Sequence, residues 1–66
     1  MGMVFLGVKE VAKLMDVGED WVSEQCRAGK LPHAFFNRKY RIRPEDLERF
    51  ANRLVAESMQ RFQLEL

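Results

Sequence analysis

Apolar residues near the start of the chain recur at steps of three and four positions, which is typical of one face of a helix. These residues are Val8, Val11, Ala12 and Met15. We therefore predict a first helix over residues 8–15, with Gly7 as its N-cap.

A second helix is predicted over residues 19–28. Residues 16–18 interrupt the helical pattern, and the two acidic residues that follow lie where the positive end of a helix dipole favours them. Gly29 supplies the left-handed residue that commonly ends a helix, and Pro32 prevents the helix from resuming.

Beyond Pro32 the hydrophobic pattern changes to a period of two, which indicates a β-hairpin. With residues 37–39 as the loop, Phe36 faces Tyr40 and Ala34 faces Ile42. One face of the hairpin is then predicted to carry Ala34, Phe36, Tyr40 and Ile42, and the other His33, Phe35, Arg41 and Arg43.

A third helix is predicted to begin at Pro44, whose missing N–H is tolerated in a first turn. Its buried stripe consists of Leu47, Phe50, Ala51 and Leu54. The apolar stripe then continues through Val55, Met59, Phe62 and Leu66, further than such a small core can cover. Two interpretations stay open: the last turns fray or fold back on the first helix, or they form an amphipathic surface for a second copy or another protein.

Length and composition describe one small soluble domain. The chain has 66 residues, of which 47% are hydrophobic and 32% charged, and it lacks the run of roughly 20 apolar residues that spans a bilayer. We predict a single domain with a core over residues 6–54 and an extension over residues 55–66. The apolar start has no basic lead, and the lone Cys26 fits a reducing compartment, so we expect a cytoplasmic protein.

Charge is distributed unevenly. Positions 27 to 43 hold six basic residues and no acidic residue, whereas the whole chain has a net charge of +1. A stretch of one sign builds a field that attracts the opposite charge. A phosphate backbone is the partner that this pattern favours.

Catalytic and metal-binding patterns are missing from the sequence. His33 has no second histidine to complete a zinc ligand set, and Cys26 lies on the inward face of its helix as a small buried hydrophobe. There is no glycine-rich phosphate loop and no paired carboxylates in a plausible cleft. We predict no enzyme activity, no catalytic residue, no metal site, no cofactor and no small-molecule substrate.

The spacing of the first two helices is typical of a helix-turn-helix, with the small Ala12 at the helix contact and Val22 ten residues later. A basic hairpin and a third helix follow at once. The sequence resembles the small winged-helix DNA-binding domains of the phage excisionase and MerR-like group over residues 6–50. The stretches that carry the resemblance are VKEVAKLMDVGEDWV, CRAGKLPHAFF and NRKYRIRPEDLERF.

This resemblance implies a winged helix-turn-helix, mainly helical with a small hairpin, that binds double-stranded DNA. In that family the second helix enters the major groove, so Ser23, Glu24 and Arg27 are expected to face bases. The wing contacts phosphates or the minor groove. The predicted DNA-binding residues are Ser23, Glu24, Arg27, Lys30, Arg38, Lys39, Arg41 and Arg43.

The second helix departs from the family pattern. Relatives commonly have Thr and one or two basic residues there, where this chain has Trp21, Ser23 and Glu24. Glu24 sits in mid-helix and either reads a base, by accepting from cytosine N4, or serves no recognition role. Arg27 is the better candidate, because a guanidinium binds guanine bidentately or holds a phosphate.

Five hydrophobic residues are candidate partner contacts: Trp21, Phe35, Val55, Met59 and Phe62. Trp21 either shields the edge of the core or contacts a partner. Phe35 either packs under the stem of Arg41 or contacts DNA or a neighbouring molecule.

The resemblance implies an excisionase, or recombination directionality factor, that binds direct repeats, bends DNA through adjacent copies and directs an integrase towards excision. One alternative is a small dimeric transcriptional regulator on inverted repeats. Another is a protein-interaction adaptor of a phage or mobile element.

Overall fold

Three helices and one hairpin make up the architecture. The computed structural model describes the backbone of residues 4–64 and the side chains of residues 4–60. The elements in chain order are α1 (Val8–Met15), α2 (Glu19–Arg27), β1 (Ala34–Phe36), β2 (Lys39–Arg41) and α3 (Pro44–Leu64). This order confirms the predicted winged helix-turn-helix fold.

The turn between α1 and α2 is tight because α1 ends in a left-handed residue. Asp16 has a φ of 57°, which brings the Val17 N–H within 2.9 Å of the Ala12 carbonyl oxygen. At the other end of α1, the Gly7 N–H donates to Glu10 Oε1 at 3.1 Å. These bonds satisfy backbone groups at both ends of a helix that is only eight residues long.

One core collects apolar side chains from all three helices and from both flanks of the hairpin. Its buried members are Val11, Ala12, Val22, Cys26, Leu31, Ile42, Leu47 and Phe50. Leu31, which precedes β1, and Ile42, which follows β2, are both fully buried. The wing is therefore fixed to the helices at its base.

A backbone bridge gives the wing a second anchor that the periodicity did not predict. The Leu6 N–H donates to the Ile42 carbonyl at 2.8 Å, and the Ile42 N–H donates to Leu6 at 2.9 Å. This pairing holds the segment before α1 against the chain that continues from β2. The first turn of α1 is thereby brought beside the wing.

The hairpin turn contains two residues, so the predicted loop over residues 37–39 is wrong. Asn37 and Arg38 form the turn with φ values of 54° and 61°. Two consecutive left-handed residues are the signature of the type I′ turn, whose twist matches that of the two strands. Lys39 is consequently the first residue of β2 rather than part of the loop.

The shorter turn also changes the pairing. Phe36 lies opposite Lys39 and Phe35 opposite Tyr40, instead of the predicted pairs Phe36 with Tyr40 and Ala34 with Ile42. A shift by one residue moves side chains to the other face of a strand. Tyr40 therefore shares its face with Phe35.

Helix α3 begins at Pro44, as predicted, and its first half closes the core. Leu47 and Phe50 are buried, and Leu54 is partly buried against the core. Farther along, Val55 and Met59 expose 57% and 59% of their surface. No helix in the described part of the chain is long and apolar enough to cross a membrane.

Candidate nucleic-acid interface

Helix α2 presents a polar outer face because its inner face is fixed in the core. Val22 and Cys26, four positions apart, are both buried. At 100° per residue, this places Glu24 and Arg27 on the opposite side, and both are exposed. The outer face of the helix thus carries a carboxylate and a guanidinium about one turn apart.

The beginning of α2 is negative and its end is positive. Glu19 and Asp20 occupy the first turn, where the helix dipole stabilises carboxylates, and Arg27 occupies the last. A phosphate would be repelled by the two carboxylates. The N-terminal end of α2 is therefore not a general anion site.

The chain leaves α2 through a Schellman turn that fixes the direction of the following loop. Gly29 has a φ of 74°, and the Lys30 N–H donates to the Gln25 carbonyl at 3.0 Å. Lys30 is exposed and lines a groove between α2 and α3, together with Trp21 and Arg53. The turn thus directs Lys30 to the α3 side of α2.

A larger groove separates the start of α2 from the wing. Its polar lining comprises four cations, three carboxylates and two hydroxyls: Lys9, Arg38, Lys39, Arg41, Glu10, Glu19, Asp20, Ser23 and Tyr40. The carboxylates come from the two helices, whereas three of the four cations come from the wing. The wing is therefore the positively charged side of this groove.

Arg41 is held in place within this groove by an aromatic ring. Its guanidinium carbon lies 5.6 Å from the centroid of Phe36, a cation–π distance. Its Nε is buried and has no hydrogen-bond partner among the described residues. A buried donor without a partner is unfavourable, and an incoming anion oxygen is one acceptor that relieves it.

Arg43 differs from the other basic residues because it is paired within the protein. Its Nε donates to Asp46 Oδ2 at 2.7 Å, and Asp46 is buried. The hydrogen bond with Asp46 and the charge of its carboxylate raise the pKa of Arg43. Arg43 lies outside the larger groove, in a smaller hollow with His33 and Arg41.

The eight predicted DNA-binding residues therefore fall into four places. Ser23, Arg38, Lys39 and Arg41 line the larger groove. Glu24 and Arg27 lie on the outer face of α2, Lys30 lies towards α3, and Arg43 is paired at the start of α3. The structure brings the first four together and separates the others from them.

Lys9 is a groove cation that sequence reasoning missed. It lies on the exposed side of the first turn of α1, where a lysine is ordinary. Only the bridge between Leu6 and Ile42 brings that turn to the wing. The sequence pattern holds no signal for this long-range contact.

The candidate partner residues also differ in their surroundings. Trp21 is partly buried against the core, with its ring centroid 6.0 Å from that of Phe50. Phe35 exposes 61% of its surface and contacts Tyr40 instead of lying under Arg41. Val55 and Met59 are exposed on α3. The side chain of Phe62 lies outside the described residues.

Cys26 and His33 carry groups with reactive or metal-binding potential, and both groups are engaged within the fold. Cys26 is buried, as predicted, and burial raises the pKa of its thiol. His33 Nδ1 lies 2.8 Å from the Leu31 carbonyl oxygen, and since a carbonyl only accepts, that nitrogen carries the proton. No group of three or more potential metal ligands occurs among the described residues.

Comparison with known proteins agrees with this geometry. A model of the helix-turn-helix domain family matches residues 5–55, which include α1, α2, the wing and the first half of α3. No curated protein and no solved structure gives a significant match. The chain therefore belongs to the helix-turn-helix domain family, a small DNA-binding family whose membership supports sequence-specific binding of DNA.

Proposed function

We propose that this protein is an excisionase, or recombination directionality factor, which binds DNA beside a recombination site and directs an integrase towards excision. The proposal rests on the excisionase-like stretches of the sequence together with the helix-turn-helix family match. In this role the protein does no covalent chemistry. It shapes the DNA on which the integrase acts.

One observation carries the DNA-binding part of the proposal: the first turns of α2 and the cations of the wing flank the same groove, next to the outer face of α2. Ser23 from α2 and Arg38, Lys39 and Arg41 from the wing line it. The wing supplies phosphate contacts, which position the protein, and the outer face of α2 supplies the contacts to base edges. Affinity then comes mainly from the wing, because α2 begins with two carboxylates.

Base selectivity is assigned to Arg27 and Glu24. Both are exposed on the outer face, one turn apart, where a guanidinium reaches guanine and a carboxylate accepts from cytosine N4. Lys30 contributes a flanking phosphate contact. Arg43 contributes least, because its charge is neutralised by Asp46.

The small size of the domain predicts that several copies bind next to one another on DNA. A single small module buries too little DNA surface for tight and selective binding, so neighbouring copies add contacts. Tandem copies in one orientation require direct repeats. We expect such repeats beside the recombination site, bound by several copies that bend the DNA.

A dimeric transcriptional regulator is the second candidate, favoured by the exposed apolar side chains of Val55 and Met59 on α3. A dimer formed through α3 has two-fold symmetry and requires inverted repeats. A protein-interaction adaptor is the third candidate, using Trp21, Phe35 and the end of α3. Its binding would persist in high salt, whereas DNA binding would not.

The deciding experiment is a footprint on DNA from the surrounding locus, followed by a salt titration of the affinity. Direct repeats support the excisionase and inverted repeats the regulator. With four or five phosphate contacts, the log–log salt slope is expected to be roughly −4, at about −0.9 per phosphate. A flat salt response contradicts DNA binding altogether.

Two variants separate positioning from recognition. Lys39→Ala is expected to weaken cognate and random DNA alike and to reduce the slope by about one. Arg27→Ala is expected to lose about 1–3 kcal/mol on cognate DNA and much less on random DNA. An equal loss on both DNAs shows that Arg27 does not read a base.

A further inference from the structure

The wing carries two neighbouring phenylalanines on opposite faces of β1, and both are exposed to different degrees. Phe36 exposes 47% of its surface on one face of the hairpin, with its ring centroid 5.6 Å from that of Phe5 and the Arg41 guanidinium over it. Phe35, on the other face, exposes 61% of its surface. Phe36 therefore has an aromatic ring and a cation as neighbours, whereas Phe35, the more exposed of the two, has Tyr40 as its single aromatic neighbour among the described residues.

The exposed ring of Phe35 is held by one neighbour that is itself anchored. Tyr40 lies directly across the hairpin, with its ring centroid 5.2 Å from that of Phe35 at an interplanar angle of 62°. Tyr40 is partly buried against the core, and its ring centroid also lies 5.1 Å from that of His33. Phe35 thus projects from a braced hairpin, which suits a wedge that must keep its position on binding.

The charges around Phe35 determine what kind of molecule can cover it. Arg38 and Lys39 follow at the tip of the same hairpin, and no carboxylate lies between positions 27 and 43. An apolar protein surface would leave these cations unpaired on binding. Stacked bases beside a phosphate backbone satisfy both the ring and the cations.

We propose that Phe35 inserts from the wing between two adjacent base pairs in the minor groove and kinks the DNA there. This inference rests on the proposed DNA binding and adds to it a defined wedge. Apolar side chains inserted in this way partly unstack one base step and bend the duplex towards the major groove. Flexible pyrimidine–purine steps such as TA and CA allow the insertion most readily.

The first test measures bending and unstacking with the full chain on a duplex that carries its footprinted site. Energy transfer between dyes at the DNA ends reports the bend, and 2-aminopurine placed successively under the wing reports unstacking. Wild-type protein is expected to shorten the end-to-end distance and to raise the fluorescence at one step. Phe35→Ala is expected to lose both signals and roughly tenfold in affinity, within the range for a lost base–aromatic contact.

Matched variants separate insertion from folding. Phe35→Leu keeps an apolar wedge and is expected to retain most of the bend, whereas Phe35→Ser is expected to behave like the alanine variant. Circular dichroism confirms that each variant is folded. A Phe35→Ala protein that bends DNA and raises the 2-aminopurine signal like wild type overturns the wedge.

A second test changes the DNA instead of the protein. Replacing the flexible step under the wing with a stiff A-tract step is expected to weaken wild-type binding severalfold and to leave Phe35→Ala binding unchanged. Equal losses for both proteins overturn the proposal. Wild-type protein that binds its site without bending it refutes the wedge alone, whereas wild-type protein that binds no DNA refutes the proposed function.

Discussion

The turn of the wing contains an arginine where a glycine would be more stable. Asn37 and Arg38 have φ values of 54° and 61°. Asparagine tolerates the left-handed region, but for most L-residues this conformation is unfavourable by about 1–2 kcal/mol. Type I′ turns accordingly prefer Asn-Gly. We therefore expect Arg38→Gly to stabilise the fold and to weaken DNA binding.

The size of the stability change follows from two opposing effects. Glycine removes the unfavourable energy of the left-handed conformation. It also makes the unfolded chain more flexible, which lowers the stability of the fold by about 0.4–1 kcal/mol. The net stabilisation is about 1 kcal/mol or slightly less. Because a 1 kcal/mol change shifts the Tm of a domain of this size by about 4–8 °C, a rise of about 4 °C is expected.

The same substitution removes one exposed cation from the groove between the wing and α2. If Arg38 neutralises one phosphate, the salt slope becomes shallower by about 0.9. Thermal unfolding by circular dichroism measures the first effect, and fluorescence anisotropy with labelled DNA over a range of salt concentrations measures the second. Strain kept at a binding residue would explain why arginine occupies the position.

Asn37→Gly is the matched control, because it changes the neighbouring residue of the same turn without altering charge. It is expected to change stability by only a few tenths of a kcal/mol, since asparagine already tolerates the conformation, and to leave the salt slope unchanged. A lower Tm for Arg38→Gly would refute the assigned turn. An unchanged slope would remove Arg38 from the phosphate contacts.

Three further predictions concern the core and the start of α3. Leu31→Ala removes a fully buried side chain and is expected to lower the free energy of unfolding, measured in urea, by about 2–5 kcal/mol. Leu14→Ala, at a 68% exposed position, should change it by no more than about 0.5 kcal/mol, so similar losses for the two variants would contradict the core assignment. Asp46→Asn weakens the hydrogen bond with the half-exposed Arg43 side chain and is expected to lower the free energy of unfolding by about 1–2 kcal/mol. Glu48→Gln, at an exposed position of the same helix, should have almost no effect. Cys26 should react with iodoacetamide far more slowly in the folded protein than in urea, because burial raises the pKa of its thiol and leaves less of the reactive thiolate at a given pH. Equal rates in the two conditions would show that the thiol is accessible in the folded protein.

Most of the helical architecture could be predicted from the sequence because it depends on local patterns. Apolar spacing of three and four, the left-handed Gly29 and the first-turn Pro44 mark helix faces and ends without reference to distant residues. The observed α2 ends at Arg27, one residue before its predicted end. The pair between Arg43 and Asp46 is also local, since the two residues are three positions apart.

The hairpin register could not be predicted in the same way. A strand pattern with period two fits two registers, and a turn one residue shorter exchanges the faces. The choice depends on the backbone conformation of Asn37 and Arg38, which hydrophobic alternation does not report. As a result, the ring of Phe35 contacts Tyr40, and of the two alternatives left open for it the structure does not show the packing under Arg41.

The sequence by itself determined the three helices, the presence of a basic wing and the separation of acidic and basic residues along the chain. Only the tertiary structure decided which of these charges meet. The bridge between Leu6 and Ile42 brings Lys9 to the wing, and the hairpin register exposes Phe35 beside Tyr40. Helix periodicity repeats within a few residues, whereas these contacts join segments more than 30 positions apart or depend on a single turn, so only the folded chain specifies them.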